Sequence, residues 1–315
     1  MSRIVGNFGK LFISMSISMC CAGTTAAAIS DFENTGALPK AKFFHSELIN
    51  DHMVRIYGIN NELMYLVEGS NSAALIDSGA GVGDLKSYVE SITSKPVKVL
   101  LTHGHVDHIG GASRFENVYM NHDDAGVFAK HNSLETRRGY IHGTYRDAKN
   151  LKESDYSKQL DLKKIKDLSS YDSFNLGGVS LEFFDAKGHT PGELAVLLKE
   201  DRILIGGDSA NQFTFLFDEF SLGLSSYEKS MTQLKKETDG KYDRYFVSHG
   251  SGEMSKDTIK NIINLCEEIK AGTTDNISHK FMGQQAYIAK EINKQYQRLD
   301  GIDGNIVFSK EKIND

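Results

Sequence analysis

The stretch "LLTHGHVDHIGGASRF", residues 100–115, places His103, His105, Asp107 and His108 within six positions. Alternate side chains of an extended chain share a face, so His103 and His105 point the same way, while Gly104 lets the backbone turn tightly. Asp107 and His108 follow on the loop, and four ligand-type groups converge. Imidazole and carboxylate are donors that suit zinc, and also iron or manganese. Four such groups exceed what one open catalytic ion needs, which points to two ions sharing the loop. Three further residues have the same chemistry: His189 in "DAKGHTPGEL", Asp208 in "LIGGDSA" and His249 in "YFVSHGSG". Each closes a strand-like run beside a glycine, where a backbone turns sharply or comes close to something.

The elements that must hold these residues can be read from periodicity. "MVRIYGI", "LMYLVEG" and "SAALIDSG" are short strand-like runs separated by turn residues, and read as a meander. "GDLKSYVESIT" follows as a helix with Leu85, Tyr88, Val89 and Ile92 on one face, and "PVKVLLTHGH" is a strand that stops at the histidines. Residues 122–168 are charged and helix-prone, either a lid over a site or a solvated helical insert. Strand signals resume in "SFNLGGVSLEFFDA", "ELAVLLKE", "DRILIGGDSA" and "YDRYFVSHG", followed by the helix "TIKNIINLCEEIK". Strands, helices, strands and helices in that order predict an α/β protein with two sheets between helical layers. Beyond 272, "GQQAYIAKEI" and "GNIVFSKEKI" read as a closing hairpin or edge strands.

With 315 residues, 40% hydrophobic and 25% charged, the composition is that of a soluble globular protein. The net charge of -6 is mild and there is no basic block, so nucleic acid is not the expected partner. The N-terminus differs: "MSRIVGNFGK" carries Arg3 and Lys10, "LFISMSISMCCAG" is uncharged, and small residues surround Ala26 and Ala28. That order matches a secretory signal cut after Ala28, giving a periplasmic or secreted protein; the competing reading is a buried N-terminal helix. The apolar stretch is too short to span a membrane, and Met19 is bulky for a lipid-anchor site at Cys20 or Cys21. Removal of residues 1–28 leaves Cys266 as the single cysteine, spaced for core packing. The expected organisation is a signal over 1–28, a polar leader over 29–48, a catalytic domain over 49–271 containing the segment 131–168, and an extension over 272–315.

In order and type, "HGHVDH", "GHTPG", "GGD" and "SHG" resemble the metallo-β-lactamase superfamily, in particular its glyoxalase II-like branch of metal-dependent hydrolases, over about residues 54–270. The resemblance implies a four-layer αβ/βα sandwich with metals at the sheet edges. It implies that His103, His105 and His189 hold one metal, that Asp107, His108 and His249 hold another, and that Asp208 bridges them. The cofactors would be two divalent cations, zinc first, with iron or manganese also fitting. Two such ions lower the pKa of a shared water, and Asp107 beside it can orient that water or move its proton. Superfamily sites cleave esters, thioesters, lactones, β-lactams and phosphodiesters, so the substrate is a separate question. Asp208 stands where true β-lactamases usually differ, Asp107 and His105 depart from the di-iron flavoprotein pattern, and no basic cluster near the C-terminus resembles a glutathione site. A small carbonyl substrate, an ester, lactone or thioester, is therefore expected. A β-lactam or phosphodiester is the alternative on the same site, and a metal-containing binding protein without turnover is the alternative of another class.

Substrate contacts are less sharply marked. Phe213, Phe215, Phe217 and Phe220 follow Asp208 and form either a buried strand or an apolar pocket wall. Arg137, Arg138 and Arg146 could receive an anionic group, with His142 as a lid contact; His122 and His131 match no motif and read as surface residues.

Overall fold

The computed structural model describes residues 38–281 and 283–314, so the expected signal over 1–28 lies outside the described residues. Strands β1 (His45–Leu48), β2 (Met53–Tyr57), β3 (Leu63–Glu68) and β4 (Ala73–Ile76) are joined by short turns and pair antiparallel in chain order. From there the connections become crossovers and the pairing becomes parallel, as crossovers require. Helix α1 (Leu85–Glu90) leads to β5 (Val97–Leu100), and helix α2 (Val106–Ile109) precedes β6 (Val118–Met120). Helices α3 (Ala125–His131) and α4 (Leu134–Thr144) precede β7 (Ile165–Asp167). These seven strands form one sheet, β7 being its edge.

The second half contributes β8 (Ser173–Asn175), β9 (Ser180–Asp185), β10 (Leu194–Leu198), β11 (Ile203–Ile205), β12 (Thr214–Leu216) and helix α5 (Leu224–Thr238). Strands β13 (Arg244–Phe246) and β14 (Glu253–Met254) and helix α6 (Thr258–Ala271) follow. A second sheet has the order β14-β13-β11-β10-β9-β8. The C-terminal strands β15 (Ile277–Phe281), β16 (Gln284–Ile288) and β17 (Ile306–Phe308) join β12 in a third sheet of order β12-β17-β16-β15. The pairing of β16 with β17 follows the two apolar runs of the tail. Strand β15 was not evident from its residues, because "ISHKF" has three consecutive polar residues and is mostly exposed.

Strand alternation sorts the apolar residues into layers. Leu63, Tyr65 and Val67 of β3 join Leu194, Val196 and Leu198 of β10 and Phe246 of β13 in the core between the two large sheets. Met64 and Leu66 face the opposite way, toward Leu85, Tyr88 and Val89 of α1 and Phe128 of α3. On the far side, Ala195, Leu197, Leu204 and Tyr245 meet Tyr227, Met231 and Leu234 of α5 and Ile259, Ile262 and Cys266 of α6. The result is the four-layer αβ/βα sandwich, with Cys266 fully buried and its thiol pushed up by burial. Among the described residues, no helix is long and apolar enough to cross a membrane.

Phe246 lies in the central core three residues before His249. Phe246→Ala should lower unfolding free energy by about 3–5 kcal/mol through lost burial and a residual cavity, read as a lower urea midpoint with unchanged slope. A loss below about 1 kcal/mol would contradict this packing.

Candidate metal centre

Four residues of the cluster follow strand ends of the two large sheets, and Asp107 and His108 stand on α2. His103 follows β5, His189 follows β9, Asp208 follows β11 and His249 follows β13, each within a few residues of the strand's last pair. Leu194 N–H donates to the Thr102 carbonyl at 3.0 Å and Ser248 N–H to the Gly207 carbonyl at 3.1 Å, so the loops of both sheets are stitched at this edge. Gly207 has φ +60, and a Cβ there would lie 2.9 Å from Glu193 Oε1, so the turn presenting Asp208 favours glycine.

The structure brings all seven sequence-predicted residues together. His103, His105 and His189 form one group in which the offered ligand atoms lie within 4.8 Å of one another; so do Asp107, His108 and His249, and so do His103, His108 and Asp208. Nδ1 of His105 is 2.9 Å from Nε2 of His189. Asp208 Oδ2 lies 3.1 Å from His249 Nε2, 3.5 Å from His108 Nε2 and 3.8 Å from His189 Nε2, between the two trios. Asp107 Oδ2 is 3.5 Å from His249 Nε2.

Two observations test whether this set fits a metal. His103 Nε2, His108 Nε2 and Asp208 Oδ1 are buried without a hydrogen-bond partner, a costly state unless something else occupies them. The remaining ring nitrogens are already committed: His103 Nδ1 to Thr102 Oγ1 at 3.0 Å, His108 Nδ1 to Asp77 Oδ2 at 2.8 Å and His189 Nδ1 to the Phe215 carbonyl at 2.9 Å. That leaves Nε2 of these three rings facing the cluster, while His105 faces it through Nδ1; a second ring nitrogen held by a neighbour is typical of ligating histidines. Burial, then the neighbouring histidines, holds His103 and His105 well below the usual imidazole range, in the neutral ligating form. Burial works against charge on His108, but Asp77, Asp107 and Asp208 outweigh it and hold this ring well above that range. Burial likewise opposes ionisation of Asp208, yet His249 and His108 pull it well below the carboxylate range.

Three supporting acids were not marked by the motifs. Asp77 accepts from Thr102 N–H at 2.8 Å, Thr102 Oγ1 at 2.9 Å, Ser248 Oγ at 3.2 Å and His108 Nδ1, tying together three loops. Asp124, fully buried, accepts from Gly104 N–H at 2.7 Å, Thr190 Oγ1 at 2.8 Å and Gly192 N–H at 2.6 Å, joining the His103–His105 loop to the His189 loop. Glu193 Oε1 accepts from Asp208 N–H at 2.7 Å; burial and the charge of Asp208 push its carboxyl well above the ordinary range. The one sequence signal was Asp77 at the strand end in "LIDSG", a polar residue closing an apolar run.

The expected substrate contacts are placed variously. Phe213 and Phe215 are half-buried and pack on Phe217, Phe281 and Ile288, with the Phe215 carbonyl on His189. Arg137 is buried and donates to the Gly110 carbonyl at 3.2 Å. Arg138 pairs with Glu153 and His142 is exposed, because helix periodicity puts both off the inward face of α4. His131, expected at the surface, is instead half-buried with its ring 4.7 Å from that of His105. In α4 it is Tyr140 that reaches the cluster, its hydroxyl donating to Asp107 Oδ2 at 2.7 Å.

Residues 58–249 match the metallo-beta-lactamase superfamily, and the chain belongs to that superfamily, whose members are metal-dependent hydrolases. Acyl-coenzyme A thioesterase MBLAC2 of Homo sapiens is 26% identical over 164 residues, covering 47% of this chain and 58% of that protein, so the chain spans less than two thirds of that relative's length. The metallo-beta-lactamase fold-containing protein ST1585 of Sulfurisphaera tokodaii is 24% identical over 226 residues, covering 66% of this chain and 80% of that protein. Among solved structures, the metallo-beta-lactamase from Pontibacter korlensis superposes with a TM-score of 0.53 at 18% identity, covering 70% of this chain and 97% of the other, a likeness of fold.

Asp77→Asn removes one charged acceptor oxygen from the hub while keeping its size. Zinc affinity, read by competition with a chromogenic chelator, should fall about 10–100-fold with the protein still folded. An unchanged affinity would mean that Asp77 does not orient His108.

Proposed function

We propose that the chain is an exported hydrolase that uses two divalent cations, zinc before iron or manganese, to cleave a small carbonyl substrate: an ester, lactone or thioester. The observation that carries this reading is the pair of ligand trios sharing one buried edge, with Asp208 between them. His103, His105 and His189 would hold one ion, Asp107, His108 and His249 the other, and Asp208 both. Bound there, the cations supply Lewis acidity and a water of lowered pKa.

The residues themselves do the rest. Asp107, with Oδ2 facing His249 and held by Tyr140, is set to take a proton from water as its oxygen adds to the carbonyl carbon. As the bond to the leaving oxygen or sulfur breaks, the same carboxyl can return that proton to it. Asp77, Asp124 and Glu193 keep the loops from relaxing around their buried charges. Phe213, Phe215, Phe217 and Phe281 pack together, and the Phe215 carbonyl contacts His189; this cluster would offer an apolar wall for an acyl chain. A thioester is supported further by the similarity to the acyl-coenzyme A thioesterase MBLAC2.

Elemental analysis of protein purified without chelator should find about two divalent ions per chain. A panel of chromogenic esters and lactones, an acyl thioester, nitrocefin and a nitrophenyl phosphodiester should give turnover on the carbonyl substrates. Turnover confined to nitrocefin or the phosphodiester would move the substrate class, and no turnover with two metals bound would leave a binding protein. Asp107→Asn should lower kcat by about 10²–10⁴-fold, the range for losing a proton-transfer group. Export is supported by the order of charged, apolar and small residues over 1–28; N-terminal sequencing of protein from a secreting host should begin at Ile29, and retention of Met1 would exclude cleavage.

A further inference from the structure

Helix α4 departs from a solvated helix in one respect: its inward face is polar, with Arg137 buried and Tyr140 and Thr144 half-buried. Arg137, Tyr140, Ile141 and Thr144 recur at helical spacing and point inward, while Glu135, Gly139, His142 and Gly143 are exposed. Each inward polar group makes a specific bond. Arg137 Nη1 donates to the carbonyl of Gly110, two residues beyond His108. Thr144 Oγ1 donates to the Tyr140 carbonyl at 2.7 Å and accepts from Asn60 Nδ2 at 2.7 Å. Asn60 sits in the turn between β2 and β3, where the buried carboxylate of Glu62 accepts from Asn60 N–H at 2.8 Å and Ala80 N–H at 3.0 Å. The helix is thus bolted at both ends, to α2 on one side and to the β2–β3 turn on the other. Between the bolts, the Tyr140 ring packs with Ala80, Val82 and Ile141, and its hydroxyl meets Asp107 Oδ2.

From this geometry we infer that Tyr140 is a positioning residue for Asp107, and that the Asn60–Thr144 bond sets the height at which Tyr140 works. The inference rests on the two-cation reading above and deepens it. A carboxylate that ligates with one oxygen and manages a proton with the other must be held in one rotamer. Asp107 lies on a helix of a single turn, beside His249 and His108, and the phenolic O–H adds a hydrogen bond from a different element that fixes its Oδ2. Neither Tyr140 nor Thr144 lies in the histidine and aspartate motifs, so the device belongs to helix α4.

The test compares the wild-type protein with Tyr140→Phe, which keeps the ring and removes the hydroxyl, and with Thr144→Val, which cuts the bolt without touching Asp107. Stepwise zinc affinity is read by chelator competition, and kcat and KM on the chromogenic ester are read in parallel. Tyr140→Phe should weaken one of the two zinc steps by about tenfold and leave the other unchanged, the size expected for losing a partner of a ligand. It should lower kcat about tenfold with KM within twofold, an effect confined to the reacting step. Thr144→Val should move the same readouts in the same direction by less. A wild type that binds two zinc ions together with a Tyr140→Phe variant unchanged in both readouts overturns the inference while sparing the two-cation reading. A wild type that binds fewer than two ions overturns that reading and this inference with it. A uniform loss of both zinc steps in Tyr140→Phe would make the hydroxyl a general structural bond and also overturn it.

Discussion

The carboxylate of Asp77 accepts hydrogen bonds from Thr102 and His108, in the segment after β5, and from Ser248 in the other half of the chain. It does so from a left-handed backbone conformation, φ +63, which a non-glycine residue adopts only when its surroundings over-determine it. The constraint is electrostatic before it is geometric. A sheet edge that gathers five imidazoles and two carboxylates out of water must satisfy each group that does not face a cation. Asp77, Asp124 and Glu193 carry out that satisfaction on the rear side of the cluster, and the unpartnered atoms are left on its front.

The four layers follow from a simpler rule. Both large sheets are apolar on both faces, so each needs cover on two sides: the other sheet within, and helices without. Stacking two such sheets makes their ends adjacent. Loops that leave β5 from one sheet and β9, β11 and β13 from the other then meet without any long connection. The third sheet, built from β12 and the C-terminal strands, closes the side next to His189 through the Phe215 carbonyl.

Rigidity at the front is unequal. The ligands from the strand ends are fixed by backbone stitching, whereas Asp107 and His108 stand on a single turn of helix. His108 is secured by Asp77 from behind. Asp107, beside His249 and His108 within the cluster, is reached from outside it by the tyrosine of α4, which ties the site to that helix.

Much of this was legible in the residues. The seven ligand-type groups, their placement at strand ends beside glycines, the helix of Leu85 and Tyr88 and the core role of Cys266 all depend on local periodicity and on residue chemistry, which a sequence carries directly. The supporting acids were not legible in the same way. Asp124 and Glu193 lie in ordinary-looking stretches, and their roles arise from partners 15 to 68 residues distant. The inserted helix was visible as a helix, yet which of its polar residues turned inward was not. Arg138 and His142 looked as eligible as Tyr140 until packing chose the face. What the sequence determined by itself was therefore the donor set and the layers that present it, because both follow from residue type and spacing. What only the tertiary structure decided was which groups are denied water and by whom they are held, because burial and long-range hydrogen bonds exist only once the two sheets have closed on each other.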